Sequence, residues 1–239
     1  PLARAGQLPP GDSLARLIDH TLLKPEASAA EVEQLCQEAR EYHFASVCVN
    51  SAYVPRCAEL LQDSGVTVCT VVGFPLGASL AEVKAYEARL SIEHGAREID
   101  MVQNVGLLKN GDWAGLYQDM RAVVAVCHAQ AVICKVILET SKLTDEEKVI
   151  TCLVAKQAGV DYVKTSTGFG GGGATVADIA LMRQVVGANY GVKASGGVRT
   201  YADARALVEA GASRIGASAG VAIVKEERGE KIETSGKGY

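Results

Sequence analysis

Three lysines interrupt apolar, β-branched stretches of this chain. They are Lys135 in Val132-Ile-Cys-Lys-Val-Ile-Leu138, Lys164 in Asp161-Tyr-Val-Lys-Thr-Ser166, and Lys193 in Gly191-Val-Lys-Ala-Ser195. An ammonium in a strand buried on both faces is costly unless it is paired or its amine is needed. An amine attacks a carbonyl only when unprotonated, and an ordinary lysine at pH 7 is only about 0.04% neutral. Burial or a neighbouring cation favours the neutral form, and lysines gathered in one interior supply both effects. A neutral lysine can form a Schiff base, and the protonated imine is an electron sink for C–C cleavage. Asp100, in Glu98-Ile-Asp-Met-Val-Gln-Asn104, is the carboxylate available to move protons beside it. Each lysine alone reads better as a snorkelling or ion-paired residue. The combination of Lys164, Lys193 and Asp100 is what points to amine chemistry.

Two glycine-rich segments point to the substrate class. Ser195-Gly-Gly-Val-Arg199 and Gly216-Ala-Ser-Ala-Gly220 each precede a helical pattern. Small residues let backbone N–H groups approach an anion, and the helix dipole favours it. Either segment alone fits a plain tight turn. Together they point to a phosphorylated ligand without naming a reaction.

The elements that must position these residues follow a βα rhythm. After a short N-terminal helix near 13–18, strands are expected near 18–22, 46–49, 67–72, 98–102, 132–138, 162–165, 191–194 and 214–216, with helical patterns between them. Residues 29–42 place Val32, Leu35, Cys36 and Ala39 on one face, and 80–94 behave likewise. Thr144-Asp-Glu-Glu147 reads as a capping box for a helix over 145–158, closed by Gly159. Eight such units with strands apolar on both faces predict a single (β/α)8 TIM barrel. An open doubly wound sheet would want a dinucleotide fingerprint after the first strand, and the sequence has none. The expected organisation is an N-terminal extension over 1–12, a barrel over 13–226 and a flexible tail over 227–239. Active sites of such barrels form at the C-terminal strand ends. Period-2 alternation puts Glu98, Asp100 and Val102 on one face, Ile99 and Met101 on the other, and the polar set should point inward.

The composition excludes several classes. Apolar residues make up 48%, charged residues 22%, and the net charge is −4, so no basic surface argues for nucleic acid. No 18-residue apolar run is long enough to span a bilayer, and residues 1–12 lack the apolar core of a signal peptide. Seven scattered cysteines without a CxxC fit a reducing compartment, so a cytoplasmic location is expected. The four histidines show no metal-binding spacing.

These residues resemble deoxyribose-phosphate aldolases, a family of class I (Schiff-base) aldolases. The similarity runs through Ile18-Asp-His-Thr-Leu-Leu-Lys-Pro25, Val71-Val-Gly-Phe-Pro-Leu-Gly77, Glu98-Ile-Asp-Met-Val102, Lys135-Val-Ile-Leu-Glu-Thr140, Val163-Lys-Thr-Ser-Thr-Gly-Phe169 and Val192-Lys-Ala-Ser-Gly-Gly-Val-Arg199. It implies reversible cleavage of 2-deoxy-D-ribose 5-phosphate to D-glyceraldehyde 3-phosphate and acetaldehyde, with no metal or organic cofactor. It further implies that Lys164 forms the Schiff base and that Lys193 is the neighbouring cation that tunes it and relays protons. Asp100 then acts with a water in proton transfer, and Lys135 completes the polar network. Phosphate contacts map onto Gly168, Gly196, Gly197, Val198, Arg199, Gly216 and Ser218, and Asp19, Thr21 and Thr167 line the sugar hydroxyl pocket. The terminal Tyr239 resembles a tyrosine that assists proton transfer in many members. Phe169 and Ala219 depart from a lysine and a serine of some members, which bears on phosphate affinity. The resemblance also implies a homodimer or homotetramer acting on phosphosugars and aldehydes.

Overall fold

A computed structural model describes residues 13–230. The expected extension over 1–12, most of the tail and Tyr239 lie outside the described residues. After a 3₁₀ turn at Leu14–Leu17, the strands are β1 (Ile18–Leu22), β2 (Ser46–Val49), β3 (Thr67–Val72), β4 (Glu98–Val102), β5 (Ile133–Ile137), β6 (Tyr162–Lys164), β7 (Gly191–Ser195) and β8 (Arg214–Ala217). They pair in sequence order, all parallel, and β8 closes on β1. The helices are α1 (Ala29–Tyr42), α2 (Val54–Leu60), α3 (Ala81–Glu93), α4 (Val105–Lys109), α5 (Trp113–Ala129), α6 (Asp145–Ala158), α7 (Val176–Val186), α8 (Tyr201–Glu209) and α9 (Gly220–Glu227).

The predicted (β/α)8 barrel is therefore the fold. Four strand ranges match residue for residue, and the other four differ by a residue at one or both ends. Val132, expected in β5, instead gives its N–H to Cys127 at the end of α5 and belongs to the loop. The expected N-terminal helix is a 3₁₀ turn, and α4 had no signal in the sequence. Among the described residues no helix is long and apolar enough to cross a membrane.

Local chemistry explains the element ends. Ser28 and Thr144 each form a full capping box, with Glu31 and Glu147, at the starts of α1 and α6. Gly159 ends α6 in the left-handed region at φ 85°. Helix α5 buries Leu116, Met120, Val123, Val124 and Cys127, a spacing of four, three, one and three that defines one face. Each large side chain so buried contributes roughly 1.5–3 kcal/mol. Ile99 and Met101 belong to the large cluster that includes the buried helix faces. A small inner cluster of Leu23, Cys48, Cys69 and Val71 shares the barrel interior with the charged residues of β4.

Candidate active site

Strand register brings the singled-out residues together. Asp100 pairs with Lys135 across β4 and β5, Lys164 with Lys193 across β6 and β7, and Lys193 with Arg214 across β7 and β8. Residues in register share a face, so all of these side chains enter the barrel.

They meet around Asp100. One of its oxygens, Oδ2, accepts from Lys164 Nζ and Lys193 Nζ, each at 2.7 Å. The other, Oδ1, accepts from Lys135 Nζ at 2.8 Å and faces Cys69 Sγ at 3.2 Å. Lys135 also reaches Glu98 at 2.5 Å, and Lys193 reaches Asp19 at 2.5 Å. Arg214 closes the network on Asp19 at 2.6 Å and Glu98 at 3.0 Å. Two donor sets, Cys48, Cys69 and Asp100, and Asp19, Cys69 and Glu98, bring metal-ligand atoms within 4.8 Å of one another. The Lys135 ammonium lies against Cys69, Glu98 and Asp100, so the protein's own cation sits among these donors.

Four cationic side chains thus face three carboxylates in the buried interior. Burial pushes the Asp100 carboxyl up, but Lys135, Lys164 and Lys193 outweigh it and hold it well below the usual range. Burial pushes the Asp19 carboxyl up too, but Arg214, Lys193 and Lys135 outweigh it and lower it. Burial pulls the Lys193 ammonium down, yet Asp100 and Asp19 outweigh it and raise it. Lys135 is likewise raised, against burial, chiefly by Asp100. The expectation that crowding favours neutral amines therefore fails for Lys135 and Lys193. Asp19 and Glu98 supply counter-charge from strands distant in sequence. Lys164 is the lysine of the three with the fewest acidic contacts: one oxygen, shared with Lys193. Releasing one proton from the set makes the charge balance.

Lys164, itself only 2% exposed, is the one of the three lysines that borders a cavity. It lines a cavity of about 340 Å³ together with Thr21, Thr167, Gly168, Gly196, Gly197, Val198, Arg199, Gly216 and Ser218. Lys135, Lys193 and Asp100 lie beneath it, fully buried. Asp19, expected among the hydroxyl-binding residues, also lies beneath the cavity, bonded to Lys193 and Arg214. Gly196 and Gly197 turn through the left-handed region, φ 89° and 76°. Gly216 is required for another reason: a Cβ there would lie 2.3 Å from Ser195 Oγ and 3.1 Å from Lys193 Cε. Phe169 packs edge-on against Phe74, with ring centroids 5.4 Å apart, at the cavity wall.

Several residues escaped the sequence reading. Arg214 sits at the start of an apolar strand two residues before Gly216, a phase that could have flagged it. Lys24 and Ser195 line the cavity, and the Ser195 hydroxyl finds no partner among the described residues. Outside the site, Lys84 on α3 and Asp119 on α5 form a buried ion pair with two 2.8 Å contacts. The pair also holds Val102 O and Asn104 N at the end of β4. Burial pulls the Lys84 ammonium down and pushes the Asp119 carboxyl up, and the paired geometry opposes both.

The profile of the DeoC/LacD family aldolases matches residues 14–227. A deoxyribose-phosphate aldolase of Halalkalibacterium halodurans is 58% identical over 219 residues, covering 91% of this chain and 97% of that protein. Deoxyribose-phosphate aldolase 1 of Bacillus licheniformis is 60% identical over 212 residues, covering 89% and 95%. The solved deoxyribose phosphate aldolase of Aeropyrum pernix, described as tetrameric, superposes with a TM-score of 0.85 at 34% identity, covering 90% of this chain and 91% of that one.

Proposed function

The chain belongs to the DeoC/LacD family of aldolases, and from that premise we propose that it cleaves 2-deoxy-D-ribose 5-phosphate to D-glyceraldehyde 3-phosphate and acetaldehyde, reversibly, through a Schiff base on Lys164. The observation that carries this reading is the position of Lys164: on the cavity, with one shared carboxylate contact, above two amines held charged.

Lys164 Nζ, neutral, attacks the C1 aldehyde of the open-chain sugar. Loss of water from the carbinolamine gives the protonated imine. The C3 hydroxyl gives up its proton, the C2–C3 bond breaks, and its electrons pass into the imine to form an enamine. Glyceraldehyde 3-phosphate leaves. The enamine takes a proton at C2, and water hydrolyses the resulting imine to acetaldehyde and Lys164. Asp100, with a water and Lys193, moves these protons, and Lys135 holds the second oxygen of Asp100 in place. Gly168, Gly196, Gly197, Val198, Arg199, Gly216 and Ser218 cradle the phosphate, with Lys24 adding charge at the rim. Thr21 and Thr167 meet the sugar hydroxyls. Asp19 acts on them from beneath, through Lys193.

Borohydride trapping with 2-deoxyribose 5-phosphate, followed by peptide mass spectrometry, tests the reading. The adduct is expected on Lys164. Folded enzyme that gives no adduct at saturating substrate overturns the Schiff-base mechanism. Tyr239 lies outside the described residues, and its assistance at acetaldehyde C2 rests on the resemblance. Its deletion should slow proton exchange there while leaving the fold intact.

The same reading places the enzyme in the cytoplasm, which its seven unpaired thiols support. It also makes the enzyme a homodimer or homotetramer, as the tetrameric relative supports. Sedimentation equilibrium distinguishes these from a monomer.

A further inference from the structure

Glu139 leaves β5 in the left-handed region, φ 59° and ψ 61°, a conformation that L residues other than Asn and Asp seldom adopt. The turn places its side chain beneath the segment 167–170. Its carboxylate accepts a short hydrogen bond from Thr167 Oγ1 and a second, at 3.3 Å, from Thr167 N–H. Phe169 N–H donates to Thr167 Oγ1 at 3.0 Å. Gly170 crosses the same carboxylate so closely that a Cβ there would lie 2.5 Å from its carboxyl carbon. Glu139 and Thr167 are only 6% and 7% exposed. None of the proton transfers proposed above uses Glu139.

A carboxylate accepts hydrogen bonds and donates none. The single hydroxyl proton of Thr167 is therefore committed to Glu139, and one lone pair of its oxygen is committed to Phe169. What Thr167 offers the cavity is one remaining lone pair. A ligand hydroxyl, which donates, fits it. A ligand group that only accepts leaves two lone pairs opposed, and a hydrogen bond unmade in a buried site is expensive.

Between C1 at Lys164 and the phosphate at the glycine loops, the substrate carries hydroxyls at C3 and C4. The C3 oxygen becomes a carbonyl, an acceptor, when the C2–C3 bond breaks. The C4 hydroxyl remains a donor in substrate and product alike. We propose that Glu139 is a specificity-determining positioning residue: it fixes Thr167 as an acceptor-only hydroxyl, and the site thereby selects acceptor aldehydes with a hydroxyl beside the carbonyl. This rests on the aldolase reading of the cavity.

The test runs the enzyme in the condensation direction with acetaldehyde. Two acceptors are compared: glyceraldehyde 3-phosphate and its analogue lacking the hydroxyl beside the carbonyl. The wild type should favour the first. In Glu139→Gln the side-chain amide can donate to Thr167 Oγ1 and release its proton toward the cavity. The ratio of the two kcat/KM values should then fall at least about tenfold, mostly through KM of the hydroxylated acceptor. Borohydride trapping of acetaldehyde on Lys164 should proceed at the wild-type rate. Thr167→Val should lower the ratio similarly, and adding Glu139→Gln to it should lower it no further. An unchanged ratio in folded Glu139→Gln, or an equal loss for both acceptors, overturns the proposal. If Glu139→Gln does not fold, an unchanged ratio in Thr167→Val overturns it equally. Wild-type enzyme that traps no acetaldehyde defeats the aldolase reading itself, a result separable from any change in the ratio.

Discussion

Lys164 and Lys193 are direct register partners on β6 and β7, and both donate to the same oxygen of Asp100. Two ammonium groups on one oxygen repel each other, and the repulsion is relieved when one of them loses its proton. Lys193 is anchored a second time by Asp19, whereas that one shared oxygen is the acidic contact of Lys164 among the described residues.

Replacing Lys164 with Met should abolish imine formation and lower kcat by at least ~10³-fold, about 4 kcal/mol of transition-state stabilisation. Asp100→Asn should lower kcat by roughly 10²–10⁴-fold, the usual range for a lost acid–base group. Steady-state assays of retro-aldol turnover give both numbers. A Lys164→Met enzyme with near-normal turnover contradicts the assignment.

Arg214 should act through charge. Without it, three amines face three carboxylates, and the excess positive charge around the buried carboxylates is gone. Arg214→Gln is expected to slow acetaldehyde imine formation at neutral pH by roughly tenfold, about 1.4 kcal/mol. Arg214→Lys keeps the charge but loses the two-pronged contact, so it should retain most of the rate. Equal slowing in the two variants would assign Arg214 a purely geometric role.

Stability should depend on pH with a definite sign. Unfolded aspartates bind protons near pH 3.9, whereas Asp100 and Asp19 stay charged in the folded state to lower pH. Below about pH 5 the unfolded chain therefore binds more protons, and stability falls as pH falls. On the alkaline side, Lys135 and Lys193 are raised. Their contribution is fully present below about pH 10.4 and is lost only above it. Thermal melts from pH 3 to 7 should show a steep acid limb for the wild type and a shallower one for Asp100→Asn. Parallel limbs would place the acid sensitivity elsewhere.

The Lys84–Asp119 pair should behave as a buried ion pair. Lys84→Met strands a carboxylate between α3 and α5 and is expected to cost about 3–5 kcal/mol. The double variant Lys84→Met/Asp119→Leu should recover much of that loss, because two matched apolar groups need no partner. Urea unfolding of the three proteins measures the coupling. Additive losses would show that the two residues stabilise the fold independently.

The barrel and its reactive strands were legible in the residues alone. Apolar runs with period-2 alternation, and helices with period 3.6, are local signals, and β4 and α1 were legible to the residue. The glycines at 196 and 197 were legible because a positive φ leaves a compositional trace. Which amines are held charged, and which one faces the cavity, emerges from the closed barrel and not from the chain order. That depends on Asp19 and Glu98, which reach Lys193 and Lys135 from strands far apart in the chain, and on Arg214, which pairs with both of those carboxylates. The Glu139–Thr167 bond and the Lys84–Asp119 pair were invisible for the same reason. Electrostatic energy in a buried interior is set by distance through space, and barrel closure fixes those distances between residues with no periodic relation in the sequence.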